Sequence, residues 1–219
     1  MDAMEVLTNL EYLQPYFQPI FSADEHEVIG YEILARYVNG SSVESLGPFF
    51  QDNSIPEEYR IEVDNHILEI ALAKIKSMND DLLIFINRDP NLLMLDHGEN
   101  FLEIVKKYFA EEQLSRIVIE LSETKFDGDT DSLHHLLTYY KTYGIKIAID
   151  HLGADSHLDR ISTLSPQILK VNIDQLRYQG WDSHKDVISS IGVLARKIGA
   201  TLLFENIETV YQLQFAWKY

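Results

Sequence analysis

The chain has 219 residues, enough for one sizeable core, with 46% hydrophobic and 24% charged residues, which excludes a disordered or fibrous protein. A formal net charge of -17 opposes polyanions such as DNA, RNA or an anionic membrane surface, so a small phosphorylated ligand would need a local Lys, Arg or divalent cation to offset that field. Cysteine is absent, which excludes disulfides, thiolate zinc sites and cysteine nucleophiles.

The opening segment MDAMEVLTNLEYLQ carries acids where a signal peptide carries bases, and no apolar run approaches the length of a membrane span. One cytosolic domain over residues 1–219, without membrane insertion, is expected. PYFQPIFS and VIGYEILARY read as strands joined by the polar turn ADEHE, an antiparallel hairpin. A helix follows from Pro56, with Ile61, Asn65, Leu68 and Leu72 at helical spacing. Strand and helix then alternate: LLIFINR, a helix around FLEIVKKYFAEE, IVIELSE, a helix around LHHLLTYYKTYG, and IKIAID. A short helix near HLDRISTL precedes ILKVNI, the long helix VISSIGVLARKIG closing on a capping glycine, TLLFENI, and a final helical stretch TVYQLQFAWKY. This predicts a mostly parallel α/β fold with about seven strands, against the eight of a (β/α)8 barrel. A doubly wound sheet loses support because no glycine-rich phosphate fingerprint follows the first strand.

In a parallel barrel the working residues stand at the C-terminal ends of the strands. Those ends offer Glu32 and Arg36, Asn87, Glu120 and Glu123, Asp150, Lys170 and Asn172, and Glu205 and Glu208. Any one of these has a plainer reading as a helix cap or solvated loop residue. Together they do not, because carboxylates emerging from apolar strands into one mouth repel one another unless something positive sits among them. Glu, Asp and Asn oxygens without thiolates suit hard cations such as Mg2+ or Mn2+. Lys170 at a strand end also admits a Schiff-base aldolase, although surrounding carboxylates would keep it protonated. His134, His135, Trp181, Trp217 and the Tyr139, Tyr140, Tyr143 cluster read as packing residues.

These strand ends resemble the motifs of the EAL domains that hydrolyse cyclic di-GMP. Glu32-Ile33-Leu34 stands where that family has Glu-Ala-Leu, with Arg36 at the family's spacing. Asn87 resembles its metal-binding Asn, and Glu120-Leu121-Ser122-Glu123 its Glu-Leu-Thr-Glu. Asp150-His151-Leu152-Gly153 falls on Asp-Asp-Phe-Gly, Lys170 on the lysine of Lys-Ile-Asp, and Glu205-Asn206-Ile207-Glu208 on Glu-Gly-Val-Glu. The resemblance implies a (β/α)8 TIM-like barrel with an antiparallel first strand, working as a homodimer and binding cyclic di-GMP across its mouth. It implies Glu32, Asn87, Glu120 and Asp150 as metal ligands, with Glu205 nearby. It gives Lys170 the orienting of water or the offsetting of developing charge, Glu32, Leu34 and Arg36 ligand contacts, and Glu123 and Glu208 the bracing of the site.

His151 departs from the pattern, standing where the family has a second metal-binding Asp, and a neutral imidazole suits Mg2+ poorly. Asn172 stands where an Asp is usual, and the loop Ala154-Asp155-Ser156-His157 is one residue short of the family's. One metal site and weak or absent hydrolysis are therefore expected. Tyr219 precedes the family's last strand, so the barrel is expected to lack its eighth strand and the natural protein to continue into a further C-terminal domain.

Overall fold

The computed structural model describes residues 3–78, 81–95, 97–122, 126–152, 157–173 and 181–218. In chain order the elements are helix α1 (Ala3–Thr8), strands β1 (Leu13–Phe21), β2 (Val28–Asn39) and β3 (Ser42–Ser45), and helices α2 (Gly47–Gln51) and α3 (Glu57–Met78). Then come β4 (Leu83–Arg88), α4 (Pro90–Leu95), α5 (Glu99–Tyr108), β5 (Ile117–Ser122), α6 (Thr130–Thr142) and β6 (Lys146–Leu152). The rest is α7 (Leu158–Leu164), β7 (Ile168–Asn172), α8 (Trp181–Ile198), β8 (Thr201–Glu205) and α9 (Val210–Ala216). Among the described residues no helix is long and apolar enough to cross a membrane.

Contacts divide the chain into two units, residues 1–87 with 95–117, and residues 88–94 with 118–219. In the first, β1 and β2 form the expected antiparallel hairpin, running from Leu13 opposite Tyr37 to Phe21 opposite Val28. The short β3, too polar to be read from its sequence, returns antiparallel along β2, and β4 pairs parallel to β2 with Glu32 opposite Phe85. Gly30 is what permits that approach, since a Cβ there would stand 2.8 Å from the Leu83 carbonyl oxygen. Helix α3 opens on Glu57 and Glu58 and closes near Lys76, matching the helix dipole at both ends. Its buried stripe is Val63, Ile67, Leu68, Ala71, Leu72 and Ile75, whereas Ile61 and Asn65 of the expected stripe sit at its half-buried edge.

In the second unit β5, β6, β7 and β8 run parallel in that order, and every residue of β7 is buried. Near-continuous apolar runs follow from burial on both faces of a parallel sheet. The helices between these strands carry conventional caps. Asp129 accepts from the Ser132 backbone N–H at the start of α6, Thr209 and Gln212 form a capping box on α9, and Gly199 ends α8 at φ 72° as expected.

Candidate functional site

Strand alternation in β2 turns Ile33 and Tyr37 into the core and leaves Glu32, Leu34 and Arg36 half-buried on the other face. Asn87, at the C-terminal end of β4, donates from Nδ2 to Glu32 Oε1 at 3.0 Å, so an amide and a carboxylate stand side by side. Arg36 Nη1 donates to the Ala35 carbonyl at 3.0 Å, and among the described residues no carboxylate pairs with it. In a chain of net charge -17, a guanidinium without an acid partner is a place an anion can take.

The second unit gathers Glu120, Asp150, Lys170 and Glu205 from four successive strands. Lys170 Nζ lies 2.6 Å from Glu120 Oε1, 2.8 Å from Glu205 Oε1 and 3.5 Å from Asp150 Oδ1. The Lys170 and Glu120 side chains are wholly buried, and that of Glu205 is partly exposed at 19%. A buried ammonium is costly alone, and so are clustered buried carboxylates; each compensates for the other here. With three carboxylate oxygens within 3.5 Å, Lys170 is engaged as the cation of an ion-pair cluster rather than set out as the free nucleophilic amine that an aldolase needs.

Asp150 is held from both ends by its own neighbour. The His151 backbone N–H donates to Asp150 Oδ1 at 2.8 Å, and His151 Nδ1 lies 2.7 Å from Asp150 Oδ2. Burial pushes the Asp150 carboxyl up, but the His151 hydrogen bond and the Lys170 charge outweigh it and hold it at about 2. The Asp150 hydrogen bond in turn raises the His151 imidazole above its ordinary value, against partial burial. The backbone sets this clamp. Between the pairs Ile149 opposite Leu169 and Leu152 opposite Val171 the register slips, so Asp150 and His151 together stand opposite the single residue Lys170 in the ladder. Bulges of this kind re-aim side chains beside functional sites. His151 takes φ 58°, a left-handed conformation that His, Asn and Asp adopt more readily than most residues. Asn206, directly after Glu205, also takes φ 58°. There it stands where the family motif has Gly, which accounts for that motif's glycine.

Of the other expected site residues, Asn172 is buried at the end of β7 opposite Glu205. Glu208 is exposed, and its backbone N–H donates to Gln212 Oε1 at the start of α9. Glu123, Gly153 and the loop residues Ala154, Asp155 and Ser156 lie outside the described residues. Sequence reading missed the His151 clamp; its only trace was a His directly after a strand-end acid. Trp217, read as a packing residue, is 51% exposed.

Among the described residues no group of three or more His, Cys, Asp or Glu side chains stands ready to hold a metal ion. Within each unit the donor chemistry nevertheless suits a hard cation, with Glu32 and Asn87 offering side-chain oxygens in the first and Glu120 and Asp150 in the second.

The sequence matches the EAL domain family over residues 3–219. YkuI, an EAL-domain containing protein of Bacillus subtilis (strain 168), is 52% identical over 221 residues, covering 100% of this chain and 54% of YkuI. The chain thus spans about half the length of that relative. The crystal structure of B. subtilis YkuI in complex with substrate c-di-GMP and calcium matches at TM-score 0.92 and 51% identity, covering 100% of this chain and 54% of that one. An EAL domain protein of Listeria monocytogenes EGD-e, 20% identical, matches in fold at TM-score 0.83 over 100% of this chain and 88% of its own. The chain belongs to the EAL domain family and has its TIM-like α/β fold, with the barrel incomplete among the described strands.

Proposed function

We propose that this chain binds cyclic di-GMP and hydrolyses it weakly or not at all. The 51% identity to YkuI, whose crystal holds c-di-GMP and calcium, supports the binding. The observation that carries the weak hydrolysis is His151, which engages both oxygens of Asp150 from the position where the family resemblance asks for a second metal-binding acid. Losing one cation of a two-cation site weakens transition-state stabilisation more than it weakens ligand binding.

In this reading Glu32, Asn87, Glu120 and Asp150 hold one divalent cation, Mg2+ or Mn2+, in a cytosolic homodimer. When bound, the cation supplies Lewis acidity that lowers the pKa of a coordinated water. Lys170, fixed by Glu120 and Glu205 at 2.6 and 2.8 Å, offsets negative charge on the reacting phosphodiester and cannot drift from its position. Arg36 binds a phosphate, Leu34 covers the ligand beside it, and Glu123 and Glu208 brace the surrounding loops.

A competing reading, an active metal-dependent phosphodiesterase giving linear pGpG, draws support from the same histidine. With Nδ1 directed at Asp150, the other ring nitrogen faces away and suits a transition metal such as Mn2+, in the carboxylate–histidine–metal arrangement. Formation of linear product, followed with Mg2+ and with Mn2+, separates the two. Turnover at an ordinary enzymatic rate with Mn2+ overturns our proposal; product at or near background with both supports it. A chain that binds no cyclic di-GMP leaves a barrel serving as a protein-binding scaffold.

A further inference from the structure

The hairpin register places a second set of side chains on the face that carries Glu32, Leu34 and Arg36. Across the β1/β2 ladder Gln18 stands opposite Glu32, Tyr16 opposite Leu34 and Gln14 opposite Arg36. Directly opposed side chains in such a ladder have Cβ atoms about 5 Å apart, and diagonal neighbours remain within reach of an aromatic ring. Tyr16 therefore lies between the acid and the guanidinium of this face, beside the leucine of the Glu32-Ile33-Leu34 motif.

Tyr16 differs from the aromatic residues packed around it, and from Phe21, which is also exposed but stands at the far end of β1 opposite Val28, away from Glu32, Leu34 and Arg36. Tyr12 packs edge-on to Tyr37 at 5.7 Å between ring centroids, and Phe17 to Tyr31 at 6.5 Å. Leu13 and Pro15, on the opposite side of β1, are buried. Tyr16 is 43% exposed and, among the described residues, its side chain has neither a hydrogen bond nor a ring partner. An aromatic ring held on a paired strand with its flank uncovered is a rigid surface of low entropy cost, the kind on which a nucleobase stacks.

We propose that Tyr16 is the platform for one guanine base of cyclic di-GMP, with Arg36 two residues along the partner strand from Leu34 taking the adjoining phosphate. This rests on the cyclic di-GMP reading above and adds a residue to it. Stacking uses the π-face that every base has, so Tyr16 supplies affinity and position while base identity is left to other groups.

The test is a calorimetric titration of cyclic di-GMP into the full chain as wild type, Tyr16→Ala, Tyr16→Phe and Arg36→Ala, each at low and high salt. Tyr16→Ala should weaken binding about tenfold or more, and Tyr16→Phe, which keeps the ring, should stay within about twofold of wild type. The loss at Tyr16 should be the same at both salt concentrations, whereas that at Arg36 should shrink as salt screens the phosphate contact. Should Tyr16→Ala melt well below wild type, Tyr16→Leu, which keeps apolar cover without a π-face, should show the same loss of affinity. Wild-type affinity in the folded Ala or Leu variant overturns the platform while the binding reading stands. So does a Phe variant as weak as Ala, because the hydroxyl would then be the contact. A wild-type chain that binds no cyclic di-GMP overturns the binding reading itself.

Discussion

Two acid sites in this molecule handle their charge in opposite ways. In the first unit Glu32 is half-buried and accepts an amide hydrogen bond from Asn87, itself exposed. In the second, Glu120, Asp150 and Glu205 surround the wholly buried Lys170. Water can solvate the first pair, so the fold does not depend on it. The second is withdrawn from water, and each charge there is tolerable only while the others remain. Residues of the first kind can be altered for function alone, and residues of the second are fold and site at once.

The largest consequence falls on Lys170. Lys170→Met leaves buried carboxylates without their cation and should cost about 3–5 kcal/mol of stability, read from urea denaturation. A loss below about 1 kcal/mol would mean that the cluster is hydrated or protonated rather than a buried ion network.

Next comes the clamp on Asp150. His151→Asp removes the imidazole from Asp150 and restores the acid that the family motif carries. Formation of linear product should then rise on the order of tenfold or more, about 1.4 kcal/mol of barrier or above. An unchanged rate would count in favour of the competing reading, in which the imidazole itself is useful.

Glu32→Ala and Asn87→Ala sharpen the comparison from the other side. Each should lower affinity for cyclic di-GMP while leaving stability within about 1 kcal/mol of wild type, because a partly solvated hydrogen bond contributes little net free energy. Stability losses as large as those at Lys170 would erase the distinction between the two sites.

The smallest effect concerns Asn206, which takes φ 58° directly after Glu205. Asn206→Val should destabilise by about 1–2 kcal/mol, as a β-branched residue resists that conformation, while Asn206→Gly should change little. Thermal melts of the two variants side by side provide the check, and equal melts would show that the turn relaxes.

Much of this was legible in the sequence because apolar runs ending in a polar residue are conspicuous. FINR, IELS, IAID, LKVN and LFEN each mark a strand and a site residue together, and the structure gathers Glu120, Asp150, Lys170 and Glu205 from the last four. The short elements were not legible. β3 carries a single apolar residue, Val43, and α4 begins at Pro90 directly after Asp89, a dipeptide that reads as a turn although proline also suits the first turn of a helix. The clamp was hidden for a different reason. It depends on a register slip between β6 and β7 and on a left-handed φ at His151, and neither leaves a periodic trace in the chain. Tyr16 was hidden likewise, since its place opposite Leu34 follows from the hairpin register and not from any motif around it.

The measurement that bears most directly on the whole account is a calorimetric titration of cyclic di-GMP into the wild-type chain, with and without Mg2+ or Mn2+. The account predicts saturable binding that tightens when the cation is present, with little linear product formed over the course of the titration. A folded chain that takes up no cyclic di-GMP under either condition would contradict it.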